Sequence, residues 1–229
     1  MQNIFYMESV IRKIRNDLRL SMNGAVANSM RTKGVNYRMN FGVEIPRIIE
    51  ISKKYDSDKF LAETLWEEDV RELKIMATLL YPFNEFAIDK GVTWSRHIKD
   101  QELREQACKN LFQNLNFSNE LVDILVDEKE KDMRCTGYWL FARLCIIKSV
   151  LIEKVNKDKL LNKAVSDLES DSLLLRQSAL NGLKFFGRTS KHTASNVLLK
   201  VVDLESSENM MEREMFDLLK FEFDMMYDF

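Results

Sequence analysis

Residues 94–112 read WSRHIKDQELREQACKNLF. The run breaks once, at Lys99–Asp100, so it predicts a short helix, a tight connection and a second helix. Leu103, Ala107 and Leu111 recur at i, i+4 and i+8, the spacing of one helical face. Arg104, Glu105 and Lys109 lie off that stripe. A basic and an acidic group are therefore expected on a rigid helix rather than on a loop, within reach of a groove.

The rest of the chain extends this reading. Of 229 residues 45% are apolar, enough for a continuous core, while only 2 are Pro and 7 Gly. Punctuators this scarce leave no room for many tight hairpins, and good helix formers dominate, so the fold is expected to be all-α. Residues 4–22 predict an amphipathic helix with Ile4, Met7, Val10, Ile11, Ile14 and Leu18 inward and Arg12, Lys13, Arg15 and Arg19 outward. Further helices are expected at 24–33, from Pro46 to Tyr55, at 58–67, and from 119 to 128. Pro82 should stop a helix ending at Tyr81. Residues 150–170 predict a helix interrupted near Asn156, with Ser170–Asp171 capping the next. The stretch 209–229 alternates acidic residues with Phe216, Leu219, Phe221, Phe223 and Tyr227. It is read as a polar-faced end cap, with a protein contact through exposed aromatics as the alternative.

The helices come in pairs, and the second of each pair repeats a small pattern: an apolar residue, then Arg, then small or apolar residues. Its copies place arginines at Arg71, Arg104, Arg134, Arg176 and Arg213, separated by 33, 30, 42 and 37 residues. A period of this size, two helices per unit, is the signature of a right-handed α-solenoid of HEAT or armadillo type, because a lone amphipathic pair cannot bury its apolar face. Five or six pairs would stack into a C-shaped scaffold with a concave groove. No linker composition is present, so residues 1–229 are read as a single domain. The recurring arginines either pair with acidic groups of the next repeat or face solvent.

Net charge is −2, which excludes a uniformly basic nucleic-acid binder. The distribution is uneven. Residues 1–60 carry 11 Lys/Arg against 6 Asp/Glu, and residues 201–229 carry 2 against 9. Either the basic end takes an anionic ligand or the asymmetry is variation on solvated faces. Cys108, Cys135 and Cys145 have no metal spacing, nor do His97 and His192, so no metal or cofactor is expected. No phosphate-binding glycine loop or nucleophile elbow occurs. Three unpatterned cysteines, with no signal-peptide pattern and no apolar run of membrane-spanning length, predict a cytoplasmic protein.

NFGVEIP, then LAETLWEEDVRELKIMATLL, WSRHIKDQELREQACKNLF and DMRCTGYWLFARL, in that order, resemble the DNA alkylation repair family of HEAT-like-repeat, AlkD-like alkylpurine DNA glycosylases. The matching residues include Gly42, Val43, Pro46, Ala62, Leu65, Trp66, Glu72, Ala77, Trp94, Cys108 and Gly137, and the likeness spans about residues 25–190. It implies double-stranded DNA in the concave groove and excision of purines made cationic by N3 or N7 alkylation. Such a purine is already a good leaving group. The family's carboxylate stabilises the oxocarbenium-like sugar and positions water, two tryptophans pack on the deoxyribose, and the base can stay stacked rather than flip.

By this resemblance the catalytic carboxylate falls on Glu105, whose alternative role is a solvated or repeat-pairing carboxylate. The first tryptophan position falls on Gln101, the groove arginine on Cys135 with Arg134 beside it, the second tryptophan on Asn181, and a tyrosine near Ser29, next to an insertion around Lys33–Met39. Gln101 and Asn181 cannot replace an aromatic clamp. Trp94, Tyr138 and Trp139 are the aromatics left to supply one, if they are not core. The expected DNA contacts are Arg12, Lys13, Arg15, Arg19, Arg104 and Arg134. Enzyme activity stays open between excision of alkylpurines and a non-catalytic scaffold binding DNA structures or a protein partner.

Overall fold

The computed structural model describes residues 2–35 and 37–227; the side chains of residues 2–6, and with them the predicted inward role of Ile4, lie outside the described residues, as do positions 228 and 229 of the predicted last helix. The described residues form α1 (Gln2–Leu20), α2 (Gly24–Thr32), α3 (Ile45–Ser52), α4 (Lys59–Glu67), α5 (Arg71–Leu80), α6 (Ile88–His97), α7 (Gln101–Asn110), α8 (Ser118–Asp127), α9 (Lys131–Ile146), α10 (Lys157–Leu168), α11 (Leu173–Gly187), α12 (Lys191–Lys200) and α13 (Met210–Tyr227). Short 3-10 turns follow α5, α7, α9 and α12. No strand is present among the described residues; a single parallel bridge joins Met39 to Val70. The architecture is an all-α solenoid of HEAT-like helical pairs.

Helix starts follow local chemistry. Asp58 Oδ1 accepts from the Leu61 amide at 2.7 Å, Asp100 Oδ1 from Leu103 at 2.9 Å and Asn156 Oδ1 from Lys159 at 3.1 Å, each satisfying a donor that the first helical turn leaves free. Asn156 therefore divides 150–170 into a 3-10 turn and α10, as its interrupting position implies. The cap of α11 is Ser172 rather than Ser170–Asp171, and Ser170 Oγ instead accepts from the Ser172 amide at 3.2 Å.

The chain divides into two compact units: one runs through Phe86 and adds Asp100–Leu111, the other holds Ala87–Lys99 and everything from Phe112 on. In the first, α5 packs against α3, α4 and α7, and α1 lies on α3 and α4. In the second, α9 packs on α8 and α11, and α11 on α10, α12 and α13. Ala77, Ala107, Ala142 and Ala179 are fully buried. A methyl at Gly137 of α9 would stand 2.8 Å from Val126 Cγ1 of α8, so that glycine sets how closely the pair approaches. Leu103 and Leu111 are buried too, each contributing about 2 kcal/mol by apolar burial.

Gly42 is the backbone constraint of the first unit. Its φ is +69°, and a Cβ there would lie 2.2 Å from the Asn23 carbonyl oxygen. Gly34 shares a positive φ, +89°, but has open space around it. Gly34→Ala should cost about 1–2 kcal/mol from the backbone alone, and Gly42→Ala a further 1–3 kcal/mol, roughly, from the clash. Urea unfolding of the two variants checks the difference; equal costs would show that the loop relaxes around residue 42.

Candidate nucleic-acid interface

The first turn of α7 gathers a polar cluster. Asp100 caps the helix and also accepts a short hydrogen bond from the Tyr37 hydroxyl. Burial, then the neighbouring Asp100 carboxylate, pushes the Tyr37 phenol far above its ordinary range, so it stays a donor. Glu102 receives Arg71 from α5, Nε at 2.6 Å and Nη2 at 2.8 Å. Arg71 Nη1 donates to the Val43 carbonyl at 2.8 Å and to Glu72 at 2.7 Å, and Glu72 in turn accepts the amides of Phe41 and Val43 at 3.1 and 3.2 Å. Arg71 is 1% exposed; burial alone would lower its pKa, but Glu102 and Glu72 reverse that and raise it.

Glu105 sits one turn further along α7, half-buried, its Oε1 accepting from Gln101 Nε2 at 2.9 Å. Gln101 Oε1 accepts from Arg104 Nη1, also at 2.9 Å, so one glutamine bridges the two. Arg104 has no exposed surface. At ~100° per residue it projects only about 20° from Leu111, so the buried face of α7 is wider than the Leu103–Ala107–Leu111 stripe. This corrects the reading of Arg104 as a surface group: a fully buried guanidinium offers nothing to a phosphate.

Arg134 is corrected for a similar reason. It pairs with Asp167 of α10 through Nε at 2.9 Å and Nη2 at 3.1 Å, and its Nη1 donates to the Glu128 and Lys129 carbonyls at 2.9 Å. Tyr138 adds its hydroxyl to Asp167 at 2.7 Å. Arg176 and Arg213 likewise donate to the carbonyls of Ser170 and Ser207, six residues back, as Arg134 does to Glu128. These three arginines thus cap the preceding helix or turn, where carbonyls lack partners and the helix dipole is negative. Arg71 and Arg134 also pair with a carboxylate of a later helix, the first of the two alternatives open from sequence.

Other cations of the first unit do face solvent. Arg12, Lys13 and Arg19 on α1 are exposed and, among the described residues, form no salt bridge. Arg15 is half-buried and spends its charge on Glu68 at 2.6 Å. Arg31, Lys33 and Arg38 are exposed as well, the last two in a loop tied down by Tyr37 on Asp100 and by Met39, which exchanges backbone hydrogen bonds with Asp69 and Arg71 at 3.2 Å. Sequence reading passed over Tyr37 and this loop because the partners are remote, 63 residues on for Tyr37 and 31 for the Arg38 amide. The only local signal was the insertion itself.

The expected site positions are dispersed. Ser29 is exposed on α2, and Cys135 is buried in α9. Asn181, on α11, is half-buried, with its Nδ2 enclosed and unpartnered. Trp94 and Tyr138 are core, leaving half-buried Trp139 as the accessible member of that trio. No cluster of metal-ligating side chains exists among the described residues, and no described helix is long and apolar enough to cross a membrane.

The model of the DNA alkylation repair enzyme family matches residues 14–147, more than half of the sequence. The chain belongs to the DNA alkylation repair enzyme family. Among solved structures it is similar to one described as "a new family of proteins related to the HEAT-like repeat DNA glycosylases with affinity for branched DNA structures", at 11% identity, covering 91% of this chain and 93% of that one with a TM-score of 0.74. A designed armadillo repeat protein in complex with the peptide (KR)4 is 13% identical over 94% of this chain and 92% of that chain, with a TM-score of 0.46. No curated protein matches the sequence.

The family match takes in Gln101, Arg104, Glu105, Arg134 and Cys135 and leaves Asn181 and α10–α13 outside. The residues that carried the resemblance in the sequence are scaffold. Gly42, Val43 and Glu72 shape the loop before α3, and Ala77, Trp94, Cys108 and Gly137 are buried. Two substitutions separate scaffold from surface. Arg134→Met should cost about 3 kcal/mol, because it strands a buried carboxylate, whereas Arg12→Ala should stay within about 0.5 kcal/mol. Tyr37→Phe should cost about 1–2 kcal/mol, seen as a lower urea midpoint and faster proteolysis within 33–39.

Proposed function

We propose that this family member binds DNA, duplex or branched, through the exposed basic surface of its first unit, and that it excises alkylated purines weakly or not at all. The observation that carries the second part is the surroundings of Glu105. Its carboxylate is held by Gln101, at the position where the resemblance places the family's first tryptophan. Trp94 and Tyr138 are buried and supply no stacking surface. A carboxylate stabilises an oxocarbenium-like sugar only when held close and shielded from water. A glutamine donor neither shields it nor leaves it free.

Binding rests on family membership and on Arg12, Lys13, Arg19, Arg31, Lys33 and Arg38, all exposed. The structural neighbour's affinity for branched DNA supports including junctions among the ligands. A cytoplasmic location is part of this proposal, expected from the unpatterned cysteines; all three are buried, and burial pushes the Cys145 thiol up to about 12.

Fluorescence anisotropy with a labelled duplex and a four-way junction tests the binding. Affinity should fall steeply with salt, with a log–log slope near −3 if about three phosphates are neutralised. Arg12→Ala and Lys13→Ala should weaken binding, and Arg15→Ala should do so less, since its charge is already paired. A flat salt dependence would sink the electrostatic reading. For chemistry, release of 7-methylguanine or 3-methyladenine from alkylated duplex is the measurement. Robust release that Glu105→Gln abolishes, with DNA binding intact, would make Glu105 catalytic and overturn the second part.

A further inference from the structure

The inward face of α13 is firmly seated. Met215, Phe216, Leu219 and Phe223 are buried, and a methyl on Gly187 of α11 would collide with the Phe223 ring. Glu222 takes Lys184 at 2.7 Å and also Arg188, which fixes the helix's register on α11. Burial would raise the Glu222 pKa, but the two cations more than offset it and lower it.

The outward face is not the polar surface that its sequence suggested. Met211, Leu218 and Met225 follow one another at seven-residue intervals, with Phe221 between the last two. They are 48%, 51%, 73% and 68% exposed. Spacings of seven, with three and four inside them, are those of an interhelical seam, and Met211 to Met225 spans about 21 Å of helix. Carboxylates border the seam. Glu214 and Asp217 are exposed and, among the described residues, form no salt bridge. Residues 201–229 hold 9 Asp/Glu against 2 Lys/Arg, and one of those two, Arg213, is tied to the Ser207 carbonyl.

We propose that this face of α13 is a docking surface for a basic amphipathic helix of a partner protein. The charge decides among occupants. An acidic border repels DNA and an anionic membrane surface, and the same face of a second copy would set carboxylate against carboxylate. Among the described side chains of α1, the basic helix of this chain, Leu20 is the large exposed apolar group, too little to fill a four-position seam. A helix with an apolar stripe flanked by Lys or Arg satisfies both the seam and its border, through anchors at i, i+3/4 and i+7. The inference is independent of DNA binding, which is proposed for the first unit.

The test uses the full chain and a fluorescein-labelled three-heptad peptide with Leu at the seam positions and Lys flanking them. Controls are a scramble of the same composition and a striped peptide with Glu for Lys. The striped basic peptide should bind at least about tenfold tighter than either control. The double variant L218S/F221S, at exposed positions and with its helicity checked by circular dichroism, should lose at least about tenfold, while Arg12→Ala changes nothing. Equal binding of the scramble, binding that survives the double variant, or no binding at all would overturn the proposal. So would a dimer, seen by analytical ultracentrifugation, that the double variant dissolves, since a second copy would then cover the seam.

Discussion

The guanidinium of Arg71 lies at the centre of the first unit with almost no contact with water. Burying it is costly, and a single ion pair would not offset that cost. It holds because its remaining capacity is used: Glu102 takes two of its nitrogens, and the Val43 carbonyl and Glu72 share a third. Glu72, fully enclosed, spends both oxygens on this arginine and on the amides of Phe41 and Val43. The loop before α3, the start of α5 and the first turn of α7 are thereby one network. Its members stand or fall together, because removing any one leaves a buried charge or amide without a partner.

The same economy recurs in the second unit. Arg134 binds Asp167, closes carbonyls after α8, and shares its carboxylate partner with Tyr138. Stacked helical pairs leave helix ends facing a neighbouring pair, where water is scarce. A long side chain with five donors solves that problem better than a lysine would. The residues that carried the family resemblance therefore belong to the scaffold.

Charge is divided along the chain. Arg12, Lys13 and Arg19 on α1, with Arg31, Lys33 and Arg38, are exposed cations that form no salt bridge among the described residues. On α13 the carboxylates border an apolar seam. Net charge near zero hides this division, since the two ends cancel.

Several features were legible from spacing alone. The helical class, the pairing, the break at Lys99–Asp100 and the interruption near Asn156 all depend on near neighbours along the chain or on a period that repeats. Propensity and amphipathic pattern carry that information. What they could not carry is which side of a helix meets a second neighbour. Arg104 was misjudged because α7 is buried over more of its circumference than one apolar stripe indicates, and Arg134 because its partner lies 33 residues on. Tyr37 was passed over, and Trp94 and Tyr138 were left open, because burial is a property of packing. Sequence by itself determined the repeat and the family. Tertiary structure alone decided which charges are spent inside the stack and which still face solvent, since pairing depends on distances between residues remote in the chain.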